Sequence, residues 1–339
     1  MSKSLAAVAK AMCADGKGLL AADESTGTIE KRFKTISVEN VEPNRRAYRD
    51  MLFTAKGLGE YISGVIFFDE TIRQSALDGT PFPKLLDKLG IIPGIKLDAG
   101  AKPMAKCPGE TITEGLDGLA KRVDEYVKLG AKFAKWRAVI NIGKDIPSAT
   151  CIWANAHALA RYAAICQEGG LVPIVEPEVL MDGDHNIDRC EEVTEWTLSA
   201  VFDSLYNQRV VLEDMVLKPS MVISGASCKQ QASPQEVAER TLKVLRRTVP
   251  SAVPGIAFLS GGQSDELATL HLDLMNKIGG NPWDLTYSYG RALQAAPLKA
   301  WRGASNNVAA GQAALLHRSR MNTLAAKGQY KSALEKQAA

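Results

Sequence analysis

Residues 171–179 read LVPIVEPEV: an apolar run of strand length whose far end carries Glu176 and Glu178. Side chains two apart on a strand share a face, so the two carboxylates point the same way. Just before it, Ile152, Ala156, Leu159, Ala163 and Cys166 recur at helical spacing. A helix leading into a strand that ends in charge is one unit of a repeating plan.

Seven further runs match it. They are GLLAADES from Gly18, SGVIFFDE from Ser63, PGIKLDAG from Pro93 and KFAKWRAVI from Lys132. RVVLEDMVLKPS from Arg209, VPGIAFLSGG from Val253 and DLTYSYGRA from Asp284 complete the set. Gly, Pro or polar residues bound each run, as strands require. Roughly 30 to 45 residues separate successive runs, room for a strand, a helix and two loops. Leu198, Val201, Phe202 and Leu205 form a second helical stripe, and Ala238, Leu242, Leu245 and Val249 a third. In Ser233-Pro-Gln-Glu236, serine can cap a helix, proline can take its first turn and glutamate can reach back. Eight alternations predict an α/β fold, a single (β/α)8 TIM barrel, rather than an open sheet. No G-x-G-x-x-G follows any strand, which weakens a nucleotide-binding reading. Beyond Trp301 the pattern stays helical through Ala326. Residues 1–327 are therefore expected to form one barrel domain with an extra C-terminal helix, and 328–339 a mobile tail.

Composition sets the bounds. The chain has 339 residues, 46% hydrophobic and 23% charged, with a net charge of +3. That balance argues against nucleic-acid or membrane-surface partners. Six cysteines stand without a C-x-x-C pair, which suits free thiols in a reducing compartment. The segment MSKSLAAVAKAMC is interrupted by Lys10 and is too short for a signal core, and no stretch reaches 18 uninterrupted apolar residues. A cytoplasmic location is expected.

What the strands end in is more informative. Asp23 closes the first, Asp69 the second, Lys96 and Asp98 the third, and Lys135 and Arg137 the fourth. Lys218 closes the sixth, Ser260 the seventh and Arg291 the eighth. In a closed barrel these ends converge on one mouth. Cations gathered there make one lysine easier to deprotonate, which is how an amine nucleophile is activated. Lys218 lies in the most apolar run, MVLKPSMV, and is the best candidate. Leu259-Ser-Gly-Gly-Gln263 and Ser288-Tyr-Gly-Arg-Ala292 follow strands seven and eight, where barrels of this kind commonly hold phosphate. Arg291 could supply charge and fork geometry there. Metal chemistry is disfavoured: His157, His271 and His317 fall on helices, and Asp182, Asp184 and His185 read as a polar turn.

In this order, LLAADESTGTIEKRF, GIKLDAG, TEGLDGLAKRV, KFAKWRAVI, VPIVEPEVL, VLKPSMV, FLSGGQS and TYSYGRALQ resemble class I fructose-bisphosphate aldolase, from about Gly16 to Gly328. The resemblance implies reversible cleavage of fructose 1,6-bisphosphate to dihydroxyacetone phosphate and glyceraldehyde 3-phosphate through a lysine imine. It implies no metal or other cofactor, sugar phosphates as the small-molecule partners, and a homotetramer. Lys218 matches the imine-forming lysine. Glu176 matches the carboxyl that shuttles protons, with Glu178 beside it. Asp23 matches the carboxylate that takes the hydroxyl proton as the carbon–carbon bond breaks, and Lys135 the lysine that steers those acids. Ser260, Gly261, Ser288, Gly290 and Arg291 match one phosphate site. Ser25, Thr28, Arg32 and Lys96 lie where the family places the other substrate end, with Arg137 nearby. Thr28 stands where the family often has serine.

One departure matters. Animal members end in a tyrosine that helps protonate the enamine, whereas this chain closes EKQAA and its last tyrosine is Tyr330. Three readings of that step stay open: substitution by Tyr330, protonation by another group or water, or a slow step. Two other readings stay open: another imine-forming barrel enzyme, such as a transaldolase-like transferase, or a non-catalytic sugar-phosphate-binding barrel.

Overall fold

A computed structural model describes residues 4–336. Its ten strands are β1 (Gly18–Ala22), β2 (Ile62–Phe67), β3 (Ile92–Lys96), β4 (Ala101–Pro103) and β5 (Thr111–Thr113). They continue as β6 (Phe133–Ile140), β7 (Val172–Val179), β8 (Val216–Leu217), β9 (Gly255–Phe258) and β10 (Asp284–Tyr289). Eight of them close a parallel barrel in the order β1-β10-β9-β8-β7-β6-β3-β2. Each of the eight runs read from the sequence supplies one barrel strand, so the fold is the (β/α)8 barrel, with the extra helix Val308–Ala326. Closure rests on Leu19 and Leu20 of β1 pairing with Ser288 and Tyr289 of β10.

The pleat explains both core and mouth. Inward positions at the lower end are apolar: Leu19, Ala21, Ile66, Phe133, Val172, Ile174, Val216 and Ala257 form one buried cluster. Following the same faces upward by twos leads from Ala21 to Asp23, from Phe133 to Lys135, from Ile174 to Glu176, and from Val216 to Lys218. The interior is therefore a packed plug beneath a charged rim. Small residues make room for large rings. A Cβ on Gly94 would lie 2.3 Å from the Phe133 ring inside the barrel, and on the helix-facing side one on Gly18 would lie 2.5 Å from the Tyr287 ring.

Helix Leu5–Cys13 closes the lower end. Its buried side Val8, Ala9, Met12 and Cys13 joins the interior cluster. Ser63 Oγ ties it down by donating to the Met12 carbonyl at 2.6 Å. Hydropathy alone did not reveal this lid, nor the antiparallel hairpin of β4 and β5. Thr111 and Thr113 stitch that hairpin to the β6 carbonyls of Val139 and Arg137.

Three local readings differ from the expectation. The run from Arg209 yields only two strand residues, because residues 212–214 turn as a 3-10 helix. Asp69 starts the short helix Asp69–Ile72 and bonds Arg73 and Tyr126, so it does not join the mouth. Ser233 caps its helix as read, accepting from the Glu236 amide, but the Glu236 carboxylate pairs with Arg240 instead of reaching back. In the segment 328–339, Tyr330 is buried: its amide donates to Asp273 at 2.9 Å and its hydroxyl to Glu335 at 2.9 Å. Glu335 also pairs with Arg318. Residues 337–339 lie outside the described residues.

Candidate active site

The barrel mouth holds a cavity of about 660 Å³, and every residue that the family resemblance matched to a catalytic or phosphate-binding position lines it. At its floor Lys218, Lys135 and Glu176 are all but closed to solvent, at 4%, 4% and 3% exposure. Lys218 follows the last residue of β8, and its amide bonds the Val175 carbonyl of β7 at 2.8 Å. That registers its amine beside Glu176, with Nζ 3.1 Å from Oε1.

The other lysines sit among carboxylates rather than against one another. Lys135 Nζ lies 2.7 Å from Asp23 Oδ2, 3.6 Å from Glu176 Oε2 and 3.8 Å from Asp98 Oδ2. Lys96 Nζ lies 2.6 Å from Asp98 Oδ1. The expectation that crowded cations would activate one amine therefore needs amendment. The charges alternate, because burying like charges together costs several kcal/mol (roughly) unless each is paired. Burial alone would raise the Asp23 carboxyl, but Lys135, Lys218 and Lys96 hold it well below the usual carboxylate range. Burial would lower the Lys135 amine, yet Asp23, Glu176 and Asp98 drive it up. Asp23 is thus held as an anion and Lys135 as a cation. Glu178 turns aside from Lys218 and pairs with Arg137.

Two buried oxygens, Glu176 Oε2 and Ser288 Oγ, accept or donate no hydrogen bond within the chain. Buried polar atoms are rarely left so. Both belong to residues lining the cavity, which marks them as places for a ligand's polar groups.

Above this floor, Ser260, Gly261, Ser288, Gly290 and Arg291 line the cavity. Gly261 has a φ of +54°, a backbone that side-chain-bearing residues seldom adopt. Arg291 opens helix Arg291–Trp301 and donates to the carbonyls of Gln263 and Gly261. The Gly262 amide donates to Met181 Sδ at 3.0 Å. Ser25, Thr28, Arg32 and Lys96 line the same cavity, with Arg32 Nη2 close to Gly290. Ser25 and Thr28 hydroxyls lie 3.1 Å apart at the start of helix Thr26–Lys34.

Sequence reasoning missed Glu24, and it placed Asp98 at a strand end without assigning it to the site. Both line the cavity. The sequence signal for Asp98 was its two-residue spacing from Lys96. Glu24 had none, because its arginine partners Arg32 and Arg49 come from separate helices. Tyr330 does not line the cavity; its hydroxyl is engaged by Glu335, and burial with that neighbour pushes its pKa up to about 12. Among the described residues no group of three or more His, Cys, Asp or Glu side chains could hold a metal ion.

A closed (β/α)8 barrel with amines and carboxylates interleaved at its mouth has an enzyme's catalytic groups at the end of the fold where active sites lie. The sequence model of the family described as "Fructose-bisphosphate aldolase class-I" matches residues 4–339. A "Probable fructose-bisphosphate aldolase class 1" of Xanthomonas campestris is 60% identical over 330 residues, 97% of this chain and 99% of the relative. "Fructose-bisphosphate aldolase 5, cytosolic" of Arabidopsis thaliana is 56% identical over 95% of this chain and 90% of its own length. A crystal structure of the Plasmodium falciparum fructose-bisphosphate aldolase, in complex with TRAP and a small-molecule inhibitor, superposes with a TM-score of 0.95. That protein is 50% identical, over 97% of this chain and 95% of its own. The chain belongs to the class I fructose-bisphosphate aldolase family. Its activity is the family's, an aldehyde-lyase reaction on fructose 1,6-bisphosphate that class I enzymes run without a metal.

Proposed function

We propose that Lys218 is the nucleophile of this reaction and that the cavity floor divides the proton transfers among its neighbours. The observation that carries the assignment is the 3.1 Å approach of Lys218 Nζ to Glu176 Oε1, both side chains all but buried at the cavity floor. Lys218 attacks the ketose carbonyl carbon. Glu176 moves protons as the carbinolamine forms and loses water, leaving a protonated imine. The imine is the electron sink: its positive charge draws the electron pair of the breaking carbon–carbon bond into an enamine. Asp23, held as an anion, accepts the proton of the substrate hydroxyl as the aldehyde forms. Lys135 keeps Asp23 ionised and Glu176 oriented, standing within 4 Å of both. Glu178 fixes Arg137 on the rim. No further cofactor is needed, since the imine supplies what a Lewis acid otherwise would, and chelation is expected to leave the activity intact.

Two groups of lining residues take the two phosphates. Ser260, Gly261, Ser288, Gly290 and Arg291 bind one. Ser25, Thr28, Arg32 and Lys96, with Arg137 nearby, bind the other. The hydroxyls, the glycine backbone and the arginine forks support this division. With Tyr330 held by Glu335, protonation of the enamine falls to a floor group or to water. We further propose a cytoplasmic location, in line with the relative named cytosolic, a homotetramer as the family resemblance implies, and 328–339 as a tail distinct from the barrel of 1–327.

Borohydride reduction in the presence of dihydroxyacetone phosphate tests the assignment. Mass spectrometry should find the reduced adduct on Lys218. An adduct on Lys96 or Lys135 would overturn it.

A further inference from the structure

We propose that Glu24 and Arg49 form a buried positioning pair that aims Arg32 into the substrate cavity. Four separate elements meet here: the end of β1 brings Glu24, helix Thr26–Lys34 brings Arg32, helix Glu42–Phe53 brings Arg49 and helix Arg291–Trp301 brings Gln294.

Glu24 and Arg49 side chains are 4% and 3% exposed, and they are directly ion-paired. A guanidinium buried so fully requires a counter-charge, and Glu24 Oε2 supplies it. The other oxygen, Oε1, accepts from Arg32 Nη1 and from Gln294 Nε2 at 2.7 Å. Gln294 in turn bonds the Ala21 carbonyl at 2.7 Å and accepts from the Tyr48 hydroxyl at 3.0 Å, so the amide cannot drift. Burial alone would raise the Glu24 carboxyl, but Arg32 and Arg49 bring it down, and the group stays anionic.

Arg32 is different from Arg49. Its side chain is one-fifth exposed and lines the cavity. Among the described residues only Nη1 has a protein partner. Nη2 reaches toward Gly290, 3.6 Å from where a Cβ on that glycine would stand. One carboxylate thus neutralises the inner guanidinium and grips one nitrogen of the outer one. The remaining positive charge and donors are presented to the cavity in a fixed rotamer. An arginine held in this way has already lost the side-chain freedom that phosphate binding would otherwise have to remove. A carboxylate serving Arg49 alone would have no need to touch Arg32.

This rests on the reading of Arg32 as a phosphate ligand, and the test separates the two. Steady-state KM is measured for fructose 1,6-bisphosphate and for fructose 1-phosphate, which lacks the second phosphate. The enzymes compared are wild type, Glu24→Gln, Arg32→Ala and the double variant. Loss of the anchor should raise KM for the bisphosphate about tenfold, the size of one charge-assisted hydrogen bond, and leave that for the monophosphate near wild type. The double variant should be no worse than Arg32→Ala, because both changes remove one interaction. Equal effects on both substrates, a lower KM for the bisphosphate, or additive losses would overturn the inference. If Arg32→Ala itself shows no phosphate-selective loss, the reading of Arg32 falls and takes the inference with it. Should Glu24→Gln fail to fold because Arg49 is left unpaired, Glu24→Gln/Arg49→Met removes both buried charges and should show the same selective loss.

Discussion

Lys135 Nζ stands 2.7 Å from Asp23 Oδ2, although Lys135 lies on β6 and Asp23 just past β1, with β2 and β3 between them in the barrel order. This bond across the mouth joins the first strand to the fourth unit of the fold. It also sets the ionisation of the group proposed to take the substrate proton.

Replacing Lys135 with Met should therefore lower kcat by about 10²–10⁴-fold, the usual value of a disrupted acid–base step. It should also move the acid limb of the pH–rate profile upward, since Asp23 loses the cation that holds its pKa down. An unchanged acid limb with reduced kcat would show that Lys135 acts otherwise than through Asp23.

Arg291→Ala should weaken the bisphosphate far more than a non-phosphorylated analogue. Its fork is held by the carbonyls of Gly261 and Gln263, so it already faces the proposed phosphate site. Inhibition constants for phosphorylated and unphosphorylated analogues measure the difference, expected at about 10-fold or more for one charge-assisted pair.

His271 is buried and its Nδ1 lies 2.6 Å from Gln263 Oε1. Burial pushes its pKa from 6.5 down to about 4. Between those two values the unfolded chain binds a proton that the folded chain refuses, so stability falls as pH drops from about 6.5 toward 4. Thermal denaturation of His271→Gln across that range should show a shallower acid slope than wild type.

Gly94→Ala should destabilise the barrel without touching the site chemistry. The new methyl would meet the Phe133 ring at 2.3 Å inside a packed plug. Overpacking of this kind costs about 1–3 kcal/mol, read as a lower Tm.

The strand ends were legible because two simple periodicities act together: the pleat fixes which face a residue takes, and parallel closure fixes which ends meet. That is why Asp23, Lys135, Glu176 and Lys218 could be placed at one mouth from spacing alone. Asp69 shows the limit. It too ends an apolar run, yet it opens a helix and turns to Arg73. Spacing cannot tell a last strand residue from a first helical one. Glu24 was illegible for another reason: its neighbours in space are eight, 25 and 270 positions away. Nor did the order of strands reveal that each lysine would be matched with an acid, since charge pairing across the mouth depends on tilt and side-chain reach.

Helix Leu5–Cys13 emerges from the ribosome before any strand, yet its seat is made by strands from both halves of the chain. Cys13 packs where a Cβ on Gly255 would collide with its sulfur at 2.4 Å. Those two positions are separated by most of the polypeptide, and such long loops close slowly. During synthesis this greasy segment must wait, uncovered, until the seventh barrel strand arrives. A nascent chain of this protein is therefore most vulnerable to association with its neighbours along the segment Leu5–Cys13.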